Sequence, residues 1–260
     1  MKLKLICCEV FFRMACLTAS QSENTVDLEF TPLKAHTESD DLRFKIQAAI
    51  DRTEAEGGDY DAIVLGYGLC GNSVAGIKAR NLKLVIPRAH DCCTIFLGSR
   101  HKFVQNFGDR LSAKWSSHGY LERTGDYFGG TELAKSIGFS REYDELVEQY
   151  GEENAQFVWE TLHPKLPDQD KIYIRVEPFE LFGFFEKFQQ KVREEAEDGQ
   201  EPKIQVLDGS IRLMSKLLNG EWDDEFLVVQ PGKLIQPVYD MEQIVCEGLG
   251  GESESESGGC

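Results

Sequence analysis

Short, near-continuous apolar runs alternate with segments of helical period through the first part of the chain. Lys2–Ile6 (KLKLI), Val26–Phe30 (VDLEF), Ala62–Gly66 (AIVLG) and Leu82–Pro87 (LKLVIP) have the length and composition of strands. Between them, Val10–Ala19 places Phe11, Met14, Ala15 and Thr18 at helical spacing. Asp40–Ala55 sets Leu42, Ile46, Ala49 and Ile50 on one face and is closed by Gly57 and Gly58, as a helix C-terminus favours. Ser73–Ala79 reads as a third helix. This alternation predicts an α/β fold: an open, mainly parallel sheet with flanking helices.

The pattern then changes. From about residue 94 to 162 there are no clear strands, and aromatics accumulate, among them Phe96, Phe103, Trp115, Tyr120 and Trp159. A helix is expected over 144–162, followed by a loop at 163–167. Strands return at Lys171–Val176, Lys203–Leu207 and Glu225–Gln230, with helices expected over 180–197 and 210–218 between them. The pattern thus divides into an N-terminal α/β unit over 1–98, a helical cap or connector over 99–168, and a C-terminal α/β unit over 169–248. The last stretch, 249–260, alternates Glu and Ser between glycines and is expected to be a disordered tail ending in Cys260.

Composition is that of an ordinary globular protein, 41% hydrophobic and 28% charged, with a net charge of -17. Such acidity argues against nucleic acid and anionic membranes as partners, since both select a basic surface. Glu9 and Arg13 interrupt the N-terminal apolar stretch, and no run approaches the roughly 20 residues of a membrane span. A cytoplasmic location is expected. There the eight cysteines would stay reduced, for metal binding or catalysis rather than disulfides.

Three of the strands run into soft ligands. The first reaches Cys7 and Cys8, the third Cys70, and the fourth Arg88, His90, Asp91, Cys92 and Cys93. Strand C-termini of an open α/β sheet share one edge, where ligands bind. A single cysteine is more often an inert core residue, but three strand ends carrying thiols point to a metal or cluster. In an extended segment residues two apart face the same way, so His90 and Cys92 are expected to bind one ion with Cys8 and Cys70. Three thiolates and an imidazole suit zinc; three thiolates alone suit an iron-sulfur cluster with one open iron. Cys7, Cys93, Cys16 and Cys246 are assigned to packing. His36, His101, His118 and His163 are assigned to the surface or the cap.

Gly66-Tyr67-Gly68-Leu69-Cys70-Gly71 spells G-x-G-x-x-G between a strand and an expected helix, with Asp91 twenty residues further on. The motif follows the third strand rather than the first, which weakens a dinucleotide reading. Gly66, Gly68, Gly71 and Asn72 instead suggest free N–H groups at a helix N-terminus that hold an anionic part of a substrate, with Asn72 as the cap. Glu9 is a candidate base or ligand-orienting group, Arg88 a candidate anion holder, and Tyr67 a candidate hydrogen-bond donor. Asp91 is a candidate catalytic carboxylate.

The segments ICCEVFFR, GYGLCGN and IPRAHDCCTIFLGS, with the stretch from YGEENAQFVWETL to LLNGEWDDEFLVVQPG, resemble the bacterial and archaeal domain-of-unknown-function family 1638. Its pattern falls here on Cys8 and Glu9, on Gly66, Tyr67, Gly68, Cys70 and Gly71, and on Arg88, His90, Asp91 and Cys92. The resemblance implies a link to corrinoid-dependent methyl transfer, with a corrinoid methyltransferase as partner. The H-x-C step is similar to the zinc motif of corrinoid-linked thiol methyltransferases. Three functions are therefore expected as alternatives. They are a zinc enzyme that activates a thiol or other soft small-molecule nucleophile, an iron-sulfur lyase or reductase, and a non-enzymatic metal-binding accessory or sensor.

Overall fold

The computed structural model describes residues 1–33, 39–70, 72–108, 113–125, 171–194, 196, 203–238, 240 and 242–249. The expected helix over 144–162, the loop at 163–167, Gly71, His36, His163 and Cys260 lie outside them.

The chain is an α/β protein built on a mostly parallel five-stranded sheet, flanked by helices, with a smaller second sheet. The first sheet has the order β2-β1-β3-β4-β8, with β1 at Lys2–Cys8, β2 at Thr25–Thr31, β3 at Ala62–Gly66, β4 at Leu84–Pro87 and β8 at Phe226–Val229. Pairing is parallel from β2 through β4, and β8 closes the edge antiparallel to β4. Every residue of β3 and β4 is buried, which is why both read as unbroken apolar runs rather than alternating ones. Helix α1 (Phe12–Gln21) follows a short 3-10 turn at Glu9–Phe11. It packs on α7 (Arg212–Asn219), which in turn lies on β3 and β4. Helix α2 (Ser39–Ala55) covers β1 and β2.

The second sheet is parallel, in the order β5-β6-β7: Trp115–Ser117, Lys171–Arg175 and Ile204–Asp208. Its first strand comes from the aromatic stretch, where the sequence pattern shows none. Three residues, W-S-S, are too few to display a period. β8, read from sequence with the C-terminal strands, instead joins the first sheet. Glu177–Phe182 is a 3-10 turn ended by Gly183 at φ 71°, so the helix expected over 180–197 is shorter, α6 at Phe184–Glu194. Helices α3 (Cys92–Leu97), α4 (Arg100–Phe107) and α5 (His118–Thr124) complete the described set. Among the described residues, no helix is long and apolar enough to cross a membrane.

Three further expectations are corrected. Residues 72–76 form a turn and 77–80 run on without helix, Lys78 bridging to Leu234, not the helix expected over Ser73–Ala79. The Gly76 and Ala79 N–H groups donate to Ile235 and Lys233 carbonyls at 2.7 and 2.9 Å, beside β9 (Leu234–Pro237), which pairs with β10 (Val245–Gly248). Those N–H groups are thus unavailable to an α-helical ladder. His118, assigned to the surface or cap, is fully buried between Phe96 and Phe179, at ring distances of 5.4 and 4.3 Å. Cys246 in β10 is disulfide-bonded, where a reduced packing residue was expected.

Candidate thiol site at the edge of the first sheet

β1, β3 and β4 are neighbours and parallel, so their C-termini open onto one edge. β1 ends at Cys8. After β3 the chain continues as Tyr67–Cys70 alongside Arg88–Asp91: Leu69 N–H donates to the Ala89 carbonyl at 2.8 Å and Cys70 N–H to the His90 carbonyl at 2.9 Å. The approach is close enough to require Gly68, since a Cβ there would lie 2.7 Å from Asp91 Cα and 2.9 Å from the Ala89 oxygen. Gly66 similarly makes room for the Cys7 Cβ, which an added Cβ would meet at 2.4 Å. These two glycines serve strand and loop packing. The N–H groups of residues 69 and 70 are already bonded, and no helix begins after them. The anion cradle and the dinucleotide fingerprint therefore lack their helix N-terminus.

Cys70 adopts a left-handed backbone, φ 45°, a conformation uncommon for a residue with a Cβ. It brings its sulfur to 3.9 Å from Cys92 Sγ. Cys92 is the first residue of α3, and Asp91 caps that helix by accepting the Cys93 and Thr94 N–H groups at 2.9 and 3.4 Å. Cys8 is close enough for its charge to be felt by Cys92, Tyr67 and Tyr120, as is that of Cys70 at Cys8. The structure thus puts Cys70 and Cys92 in sulfur–sulfur contact, with Cys8 at the end of the neighbouring strand β1.

The electrostatics follow from burial. The Cys70 contact and burial hold the Cys92 thiol well above its ordinary range, and burial does the same to Cys8. Burial, reinforced by the Cys70 charge, pushes the Asp91 carboxyl up to about 7, against the two N–H groups it accepts. Sulfurs in this setting are neutral unless a cation shares them.

The His90 ring lies 5.6 Å from that of Phe103, burial lowers its pKa against the Asp240 charge, and its buried Nε2 has no hydrogen-bond partner among the described residues. The two-residue alternation expected from 90 to 92 fails because the helix starts at Cys92. Arg88 also departs from its expected task. Its guanidinium donates to the Gln243 carbonyl at 2.8 Å and to that of Val245, so it ties down the C-terminal loop rather than facing a ligand. Glu9 accepts the Leu33 N–H at 2.6 Å and lies 3.9 Å from Arg123, linking the end of β2 to α5. Asn72 has no helix to cap; its carbonyl accepts from Arg43 at 3.0 Å. Tyr67 is buried with its hydroxyl 2.7 Å from that of Thr31.

One residue at the site escaped sequence reasoning. Tyr120, on α5, is buried against Phe96 and Trp115, and burial with the charges of the three thiols pushes its hydroxyl pKa well up. The available signal was Gly119, whose added Cβ would fall 1.9 Å from the Val10 carbonyl oxygen. Only glycine lets α5 rest directly on the turn after Cys8.

The family model described as Protein of unknown function (DUF1638) matches residues 30–218. The chain belongs to this family. No curated protein and no solved structure matches it. The DUF1638 span holds Cys70, His90, Asp91, Cys92 and Tyr120, while Cys8 and Glu9 precede it. Among the described residues, no group of three or more His, Cys, Asp or Glu side chains that could hold a metal ion is found. The donor set nonetheless fits one in part. Two sulfurs each about 2.3 Å from a tetrahedral zinc lie about 3.8 Å apart, close to the 3.9 Å between Cys70 and Cys92. Soft donors of this kind select zinc or iron-sulfur centres.

Proposed function

We propose that this DUF1638 protein binds a metal, zinc foremost, through Cys8, Cys70 and Cys92, and uses it to activate a thiol or other soft nucleophile. The observation that carries this reading is the 3.9 Å separation of the Cys70 and Cys92 sulfurs, with Cys8 in electrostatic contact with both. Bound zinc supplies the positive charge that keeps thiolates ionised at neutral pH. This chain's residues then have distinct parts. Cys8, Cys70 and Cys92 hold the ion, and Asp91 fixes the backbone on which Cys92 stands. Cys70, the partly exposed member, marks the side from which a small-molecule substrate approaches. If the three sulfurs are the protein donors, the fourth position stays open, as catalytic zinc requires.

The resemblance of the three motifs makes thiol-directed methyl transfer with a corrinoid methyltransferase partner the reaction class proposed. Reduced thiols at the site suit the cytoplasm. The three-sulfur set, without an imidazole, also favours a second reading, a four-iron cluster with one open iron in a lyase or reductase. Metal analysis of protein purified without oxygen separates the two. The zinc reading expects about one zinc per chain in the wild type and little in Cys70→Ser. Equal zinc in both would remove Cys70 from the site, and a colourless, iron-free protein would eliminate the cluster.

A further inference from the structure

Two thiols held side by side have a covalent option that a lone thiol lacks. The Cys70 and Cys92 sulfurs lie 3.9 Å apart, and a disulfide needs them at about 2.05 Å. Both backbones are pinned. Cys70 N–H donates to the His90 carbonyl at 2.9 Å, and its own carbonyl accepts the Ser73 N–H at 3.3 Å and the Ser73 hydroxyl at 2.8 Å. Cys92 stands in the first turn of α3, which the Asp91 side chain caps. Closing the remaining gap falls to side-chain rotation. The exposures differ. Cys70 is half-buried, whereas Cys92 is 3% exposed, and Cys7, Cys8 and Cys93 are fully buried. An outside reagent therefore meets Cys70 first, with Cys92 behind it. A reachable thiol with a second one poised beside it is the arrangement of reversible redox sites. Cys70 also holds φ 45°, and backbone outliers of this kind gather at functional positions.

We propose that Cys70 and Cys92 form a thiol–disulfide exchange pair, with Cys70 as the attacking thiol, Cys92 as the resolving thiol and a low-molecular-weight disulfide as the oxidant. The step goes beyond the metal reading above and needs no bound ion. Cys70 loses its proton, and its thiolate attacks one sulfur of the small disulfide, forming a mixed disulfide and expelling one small thiolate. Cys92 then gives up its proton, and its sulfur attacks Cys70 Sγ. The mixed bond breaks, the 70–92 bond forms, and the second small thiolate leaves. The two departing thiolates take up the two protons. The protein has lost two electrons, and the small disulfide has become two thiols. Excess small thiol runs the same steps backwards.

The test treats full-length protein with a chelator, without oxygen, and then with oxidised glutathione as probe. Acid quenching, alkylation and peptide mapping read each cysteine separately, apart from the existing Cys246 bond. In the wild type a 70–92 linkage is expected as the main product, lost again on adding excess reduced glutathione. Cys92→Ser is expected to lose that linkage and to keep glutathione on Cys70, while Cys70→Ser takes up none at Cys92. The wild-type map stands without either variant, should one fail to fold. In the wild type, Cys70 stopping at the mixed disulfide, pairing with Cys8 instead, or not reacting at all would overturn the exchange pair. Glutathione on Cys92 in a folded Cys70→Ser would overturn the assigned order of attack. None of these outcomes touches the metal reading, which zinc analysis of untreated protein decides separately.

Discussion

In the first sheet, β1, β3 and β4 run out into Cys8, the Cys70 loop and Cys92; in the second, β5, β6 and β7 run out into His118, Val176 and Gly209. Both edges come from parallel strands, yet only one gathers reactive groups. At the second edge, polar groups are spent on packing. Gly209 N–H donates to the Arg175 carbonyl at 2.7 Å, Ser210 N–H to the Phe96 carbonyl at 2.9 Å, and Lys102 to the Asp208 carbonyl at 2.9 Å. At the first edge, Cys8, Cys70 and Cys92 follow neighbouring strands, and the Cys70 and Cys92 sulfurs lie 3.9 Å apart. The two edges meet on α3, whose first residue is Cys92 and whose C-terminal carbonyls are held by Ser210 and by Arg212. A parallel sheet supplies the convergence; the residue types at its rim decide whether that becomes chemistry or glue.

The contrast breaks most sharply at Gly209. A Cβ there would lie 2.5 Å from the Phe96 oxygen and 2.8 Å from Ile174 Cγ2. Gly209→Ala is expected to destabilise by about 1–3 kcal/mol through overpacking, while the folded protein keeps its full metal content. Denaturant melts beside metal analysis check this. Loss of metal with unchanged stability would mean that the second edge also serves the site.

A smaller effect sharpens the same contrast through pH. Burial lowers the His118 pKa to about 3, and its Nε2 has no hydrogen-bond partner among the described residues. The unfolded chain therefore binds a proton below about 6.5 that the folded chain refuses until about 3. Stability should fall by about 1.4 kcal/mol per pH unit as pH drops through that window. Asp91, raised to about 7, acts in the opposite sense: its contribution is present below the unfolded value of 3.8 and is lost as pH rises through 7. The two slopes largely cancel in the wild type. Denaturant melts of His118→Leu from pH 7 to pH 4.5 should show the variant gaining on the wild type as pH falls. Parallel pH profiles would show that His118 is protonated in the fold.

Much of the first edge was legible from sequence because β1, β3 and β4 are buried strands whose apolar runs stop at the thiols. The shared edge of β1, β3 and β4, after which Cys8, Cys70 and Cys92 come, followed from that alone. What was hidden depends on distant partners. The stretch at 72–80 is not a helix because β9, far along the chain, takes its N–H groups. Asp91 became a helix cap, and a cap breaks the two-residue alternation of an extended segment expected from His90 to Cys92. Arg88 serves the loop at 243–245, and β5, which leads into α5, is too short to show a pattern.

X-ray absorption at the zinc edge, on full-length protein loaded with one equivalent of zinc without oxygen, counts the sulfurs directly. The account predicts three sulfur neighbours at about 2.3 Å, falling to two in Cys8→Ser. A first shell of nitrogen and oxygen alone, or a protein that retains no zinc, would contradict it.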